Sequence, residues 1–297
     1  MDEFAKAHLG DLIGRCEKGD SGVSAFLTPA EQIEAERYMR ASAPFGEIKL
    51  DSDGRILKKN AKMPDDAPLY ESYPDGGYIF WGGYNDAERK RLFTFPTYLF
   101  YTAEDINGLM AAFEEAPISA VSAKGSGFVK LGHRDFMGAL LGAGLKRESL
   151  GDIVTADANG NQSDSEAIIF TVPSVMKWLT EGSEAPDEVG RDKVKFSCVT
   201  LSEKFCLERE FKHIDGVIAS ARLDCVCALL LGTSREKAKI YITGGAVQLN
   251  HELTVSCDKE INEGDIISVR GSGRYRVETF DGRTKKDRLR ISAVKYI

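Results

Sequence analysis

Between residues 222 and 245 the apolar side chains fall into two short helical stripes, each closed by glycine. Leu223, Val226, Cys227 and Leu230 recur at helical spacing, and Gly232 ends the run, as expected for one face of a buried helix. Ser234 then offers a hydroxyl to cap a second helix, whose inward side is predicted to be Ala238, Tyr241 and Ile242 before Gly244-Gly245 stops it. Short strands are expected around Val247, Leu253–Val255 and Ile266–Val269. Two helices in tandem followed by small strands leave few architectures open. The segment predicts a small α+β module.

The spacing Arg222-Leu223-Asp224, Ser234-Arg235-Glu236-Lys237-Ala238, Gly245–Asn250 and Gly264–Val269 resembles the S-four RNA-binding domain. The residue types fit phosphate contact. Arg235 lies in the first turn of its helix and Lys239 one turn on, so the two project together. A cation there opposes the helix dipole, so Arg235 calls for a nearby anion, such as a phosphate met by free N–H groups. Arg222 adds a second contact, with Ser234, Lys237, Lys239 and Asn250 as further RNA-binding candidates. Arg270, Arg274 and Arg276 are expected to share one face of an extended segment around Gly271-Ser272-Gly273, and Arg283-Thr284-Lys285-Lys286 extends the patch. These groups position phosphates; few of them suit base reading.

Charge distribution sharpens this expectation. The 297 residues carry a net charge of −7, which alone argues against nucleic acid. Residues 210–297 nevertheless hold 15 basic and 12 acidic side chains, leaving 24 basic and 34 acidic in the rest. Phosphate binding follows local potential. No run reaches the roughly 18 apolar residues of a membrane span, and the first residues lack a signal-peptide pattern, so a cytoplasmic protein without a membrane partner is expected. The six cysteines form no CxxC pair, and Cys225 and Cys227 would leave a helix on nearly opposite faces, poor geometry for one metal ion. Reduced, buried thiols are expected, with no metal and no cofactor.

The remaining chain reads as α+β. Residues 1 to about 45 are predicted helical, with Thr28-Pro29-Ala30-Glu31 as a helix start. Turns at Asp53-Gly54, Pro64-Asp65-Asp66 and Pro74–Gly77 precede aromatic strands over Tyr78–Tyr84 and Arg91–Phe95. The middle runs strand (118–121), helix (136–141), hairpin (152–154 and 167–170), helix (173–180) and strand (193–201), the βαββαβ order of a plait-like sandwich. RNA-recognition domains share this order, as do many unrelated proteins, and no aromatic RNP signature is present. The expected parts are an N-terminal helical and β region (1–115), a central plait-like domain (116–202), the S-four-type module (210–280) and a basic tail strand (281–297), with a linker near Ser202–Lys212.

Gly132-His133-Arg134-Asp135-Phe136-Met137-Gly138-Ala139-Leu140-Leu141-Gly142, Lys146–Ile153 and Gly82–Arg91 resemble the bacterial YlmH family. The resemblance implies a central RNA-binding domain and a C-terminal S-four domain. It implies a ribosome-associated quality-control factor that binds rRNA and tRNA on stalled large ribosomal subunits and assists nascent-chain tailing; a monomer off the ribosome is expected. The family's RNA-binding arginines map to Arg222 and Arg235; the two cysteines in Ala221–Cys227 depart from the usual first helix. An older division-related label for the family leaves a cell-division-linked scaffold as one alternative.

An enzyme is the other alternative, since S-four domains also decorate pseudouridine synthases, RNA methyltransferases and tyrosyl-tRNA synthetases. The only Arg-Leu-Asp is the one at 222–224, and Lys124-Gly125-Ser126-Gly127 lacks the rest of a dinucleotide fingerprint. No catalytic residue is assigned. His133-Arg134-Asp135 could be a helix start, an RNA or partner contact, or an acid/base group, with Asp135 capping or orienting His133. Lys146 and Arg147 could meet a phosphate or lie in a solvated turn.

Overall fold

The computed structural model describes residues 3–42, 45–51, 53–57, 73, 75–201, 205, 211–284 and 287–296. The turn expected at Pro64-Asp65-Asp66, Pro74, most of the 202–212 linker and Lys285-Lys286 lie outside them. The protein is a mixed α+β chain in two compact units, Met1–Glu208 and Arg209–Ile297. Among the described residues, no helix is long and apolar enough to cross a membrane.

The first unit begins with helices α1 (Glu3–Glu17) and α2 (Pro29–Ser42). Thr28 and Glu31 form the start of α2 reciprocally: the Thr28 N–H and hydroxyl donate to Glu31 Oε2 at 2.6 and 2.8 Å, and the Glu31 N–H donates to Thr28 Oγ1 at 3.3 Å. The all-helical expectation for this stretch fails between the two helices, where Gly22–Leu27 is a strand, β1. Its partner decides that outcome: β1 pairs antiparallel with β6 (Lys90–Phe95), which pairs with β5 (Gly77–Trp81), which pairs in parallel with β2 (Gly46–Glu47). The aromatic strand expected to run to Tyr84 ends at Trp81. Alternate residues of this sheet feed two cores, Tyr78 and Leu92 towards α1 and α2, Ile79, Phe93 and Phe95 towards Phe100, Ile106 and Leu109. The second core includes the short helix α3 (Ile106–Met110), and a small hairpin, β3 (Lys49–Leu50) with β4 (Ile56–Leu57), lies beside it in sequence.

The same unit continues through β7 (Ser119–Lys124), α4 (His133–Gly142), β8 (Leu150–Val154), β9 (Glu166–Thr171), α5 (Pro173–Glu181), the hairpin β10 (Glu188–Val189) and β11 (Asp192–Lys193), and β12 (Lys195–Cys198). The sheet order is β12-β7-β9-β8, with every neighbour antiparallel. Val121, Ala123, Ala167 and Ile169 pack under α4 and α5 with Phe136, Leu140, Val175 and Leu179. The opposite face is also covered: Ile168 and Phe170 meet Tyr84, Ala87 and Phe205, and the Tyr84 and Phe170 rings lie 4.8 Å apart at 28°. Gly83 permits this approach, because its φ is +102° and a Cβ there would sit 2.6 Å from the Phe170 ring.

The second unit is a six-stranded sheet carrying two helices. Its strand order is β13 (Phe211–Ile218), β18 (Leu289–Tyr296), β17 (Gly273–Thr279), β16 (Ile266–Val269), β14 (Val247–Leu249) and β15 (Glu252–Leu253). Helices α6 (Leu223–Leu230) and α7 (Arg235–Thr243) form one core with it, in which Leu223, Val226, Cys227 and Leu230 pack with Ala238, Ile242, Val247, Ile267, Val277 and Ile291. Tyr241, expected on the inner side of α7, is 41% exposed. The buried stripe of α7 is the pair Ala238 and Ile242, one turn apart, and Tyr241 stands off it by one position.

Candidate nucleic-acid interface

Helix α6 starts at Arg222, whose backbone carbonyl accepts the N–H groups of Cys225 and Val226 at 3.0 Å each. A crossing segment completes this start: the N–H groups of Leu223 and Asp224 donate to the carbonyls of Lys259 and Cys257 at 2.9 and 3.0 Å. Asp224 is thereby drawn into the core with no exposed surface. Its carboxylate accepts from Arg235 Nε at 2.9 Å, and Arg235 Nη2 lies 2.9 Å from the same oxygen. Arg222 Nε reaches the other oxygen at 3.5 Å. Burial by itself would push the Asp224 carboxyl up, but the hydrogen bonds from Arg235 and Cys225 and the charge of Arg235 outweigh it and hold the group below the ordinary carboxylate range.

This geometry changes the argument made for Arg235. A first-turn cation calls for an anion, and the chain supplies one in Asp224. The arginine side chain remains 45% exposed, so its outer edge can still meet solvent or a phosphate while its inner edge holds the carboxylate. Arg222 is similar, with 43% of its side chain exposed. Asp224 stands in the Arg222-Leu223-Asp224 motif read from the sequence, but it was given no role there. The available signal was a lone acid inside the otherwise apolar run Leu223-Asp224-Cys225-Val226-Cys227, where an ion needs a partner.

The other candidates divide by how their polar atoms are used. Ser234 caps α7, its hydroxyl accepting the Lys237 N–H at 3.3 Å. The Lys237 side chain is exposed, and Lys239 pairs with Glu236 at 2.9 Å on the surface. Asn250 has φ +49° and is committed at both ends, donating to Asp265 Oδ1 and accepting the Ile266 N–H, each at 2.8 Å. Arg270 does not share the face expected of it: it lies in the turn after β16, whereas Arg274 and Arg276 sit on β17. On that strand Tyr275 and Val277 point to the core, so the two arginines occupy the other face. There Arg274 lies over the Tyr296 ring and Arg276 over the Phe211 ring, 6.0 and 5.6 Å from the centroids. Arg283 pairs with Asp287 at 3.0 Å.

The candidates in the first unit separate the same way. His133 opens α4, and Asp135 caps the helix by accepting the Gly132 N–H at 2.8 Å; the bond is to Gly132, not to His133. Arg134 is exposed. Lys146 is exposed beside Glu148 at 3.9 Å. Arg147 is a clamp inside the fold: its Nη1 donates to the Leu150 and Gly151 carbonyls at 3.3 and 3.2 Å, and its own carbonyl accepts from Arg89 at 3.1 Å. Burial, then the charge of Arg89, pushes its guanidinium down to about 10. The Cys16 and Cys227 thiols are pushed up to about 12, chiefly by burial, so both are poor nucleophiles and metal ligands at neutral pH.

The fold and these sites describe a mixed α+β protein of two compact units that carries half-exposed arginines at the starts of α6 and α7. Residues 120–203 match the family model described as "Putative RNA-binding domain in YlmH". The chain is 33% identical over 218 residues to the ribosome-associated protein quality control protein P2 of Bacillus subtilis (strain 168), an alignment covering 73% of this chain and 77% of that protein. It is also similar to the solved cell division protein ylmH from Streptococcus pneumoniae, with a TM-score of 0.39 and 14% identity over 69% of this chain and 97% of that one. The chain belongs to the YlmH family.

Proposed function

We propose that the protein is a non-enzymatic RNA-binding factor of the cytoplasm, monomeric off the ribosome, that engages large ribosomal subunits bearing stalled peptidyl-tRNA. In this reading the C-terminal unit works as an S-four-type module on rRNA and tRNA, the central domain adds RNA contact, and the protein assists tailing of the nascent chain. What carries the reading is kinship with a ribosome-associated quality-control protein, at 33% identity over most of both chains. The half-exposed Arg222 and Arg235, with Lys239 one turn on and Lys237 exposed on the same helix, supply the cations that phosphates need.

The test must leave the Asp224–Arg235 pair intact. Arg235→Glu would set two carboxylates against each other in a buried place, so lost binding could mean lost folding. The informative variant is Arg222→Gln with Lys237→Gln and Lys239→Gln, assayed by co-sedimentation with purified large subunits across a salt series. The wild type is expected to bind with a steep salt dependence, and the variant's log–log slope should be shallower by about three. A folded variant with unchanged affinity and slope would remove these residues from the interface. Absence of binding by the wild type would remove the reading itself.

A further inference from the structure

The loop between β7 and α4 is held firmly at its base and ends in an exposed aromatic ring. The Gly125 N–H donates to the Ser165 carbonyl and the Leu131 N–H to the Asp164 carbonyl, both at 2.7 Å. Between them, Asp192 takes the Ser126 N–H at 2.9 Å and the Ser126 hydroxyl at 2.5 Å, while being only 6% exposed itself. Gly125 allows this anchor, since a Cβ there would lie 2.7 Å from Asp192 Oδ2. The next residues turn outward through Gly127, with φ +85°. Phe128 follows at 95% exposure, the most exposed large apolar side chain among the described residues.

Lysines flank the loop. Lys124 ends β7 and faces Lys195 of β12 directly across the ladder, a like-charge pair that is unfavourable without an anion nearby. Glu166 lies on the other side of Lys124, at 3.7 Å, and answers one of the two. Lys130 is 78% exposed and bridged to Asp164 at 2.7 Å; Arg134 is exposed at the start of α4, and Lys193 is exposed two residues before Lys195. A protein-docking hot spot wants a contiguous apolar patch, and Phe128 has only the partly exposed Val129 beside it in the loop. A lone ring among lysines fits a nucleobase flanked by phosphates. The usual stacking place on a four-stranded sheet is its helix-free face, and here Tyr84, Ala87 and Phe205 cover part of that face.

We propose that residues 125–130 form a stacking finger in which Phe128 packs on an unpaired RNA base, with Lys124, Lys195 and Lys130 meeting the adjoining phosphates. The inference rests on the RNA-binding reading above and adds a contact in the central domain. The test is fluorescence anisotropy of the full chain with a labelled single-stranded RNA dodecamer and with a fully paired RNA duplex, for the wild type, Phe128→Ala, Phe128→Trp and Phe128→Leu. Phe128→Ala should weaken single-strand binding about ten-fold and leave duplex binding unchanged; tryptophan should retain binding, and leucine should not restore it. If the wild type binds and Phe128→Ala binds equally well, the finger is wrong and the wider reading stands. Full rescue by leucine would also overturn stacking and point to an apolar protein or lipid contact. If the wild type binds neither RNA, both readings fall together.

Discussion

The half-buried Asp152 and the fully buried Asp224 are both carboxylates that organise arginine-rich surroundings, yet they bind different things. Asp152 accepts the Glu88 and Arg89 N–H groups at 2.7 and 3.0 Å and the Tyr84 hydroxyl at 2.8 Å. It fastens the Gly82–Arg91 turn onto β8, and Arg89 tightens the seam by donating to the carbonyls of Leu150, Phe26 and Arg147. Asp224 takes its strongest contacts from Arg235, a side chain whose other edge is exposed. A carboxylate bonded mainly to backbone makes architecture. One bonded to half-exposed cations sets how those cations are presented to a partner.

The contrast breaks first, and with the largest effect, at Asp152. Asp152→Ala leaves two backbone donors without their acceptor and should destabilise the first unit by about 3 kcal/mol, read as a lowered Tm; a loss under about 1 kcal/mol would mean that water replaces the carboxylate and that the seam rests on packing. Asp224→Asn should cost about 2 kcal/mol and disturb the C-terminal unit, which amide exchange confined to residues 211–296 would show. The sign of its pH dependence follows from the depressed carboxyl: its contribution is complete above the unfolded value of about 3.9 and fades as pH falls through the lower folded value. Wild type should therefore lose stability more steeply than Asp224→Asn below about pH 4. Parallel acid transitions would show that the pair stores no stability.

Smaller effects sharpen the comparison on neighbouring residues. Arg147→Gln removes a donor from two carbonyls and should cost about 1 kcal/mol, while Lys146→Gln beside it should stay within about 0.5 kcal/mol. Equal costs would deny the distinction between clamp and surface residue. The Arg222, Lys237 and Lys239 triple variant should melt within about 1 kcal/mol of wild type while losing affinity for large subunits, separating presentation from stability.

Much of the second unit was legible because its signals are short-range. A stripe at spacing three and four, Gly232 and Ser234 define α6 and α7 within a few residues of each other. The hairpin of β8 with β9 and the proline start of α5 were readable for the same reason. The strand Gly22–Leu27 was not, because its conformation depends on a partner far along the chain, Gly22 facing Thr94. The arginines show the same limit: charge and position leave a phosphate contact open for both Arg134 and Arg147, and only contacts distinguish Arg147, turned onto carbonyls, from the exposed Arg134.

What the sequence determined by itself is the set of local elements and caps, together with the concentration of cations towards the C-terminal end, since helix periodicity, capping chemistry and charge are all written in neighbouring residues. Tertiary structure decided which charges are left for a partner. Asp224 met Arg235 across the helical hairpin, Tyr84 closed over Phe170, and β18 paired with β13 along all eight residues from Phe211↔Tyr296 to Ile218↔Leu289. Each of these depends on segments brought together only when the cores form, so no local reading of the chain contains them.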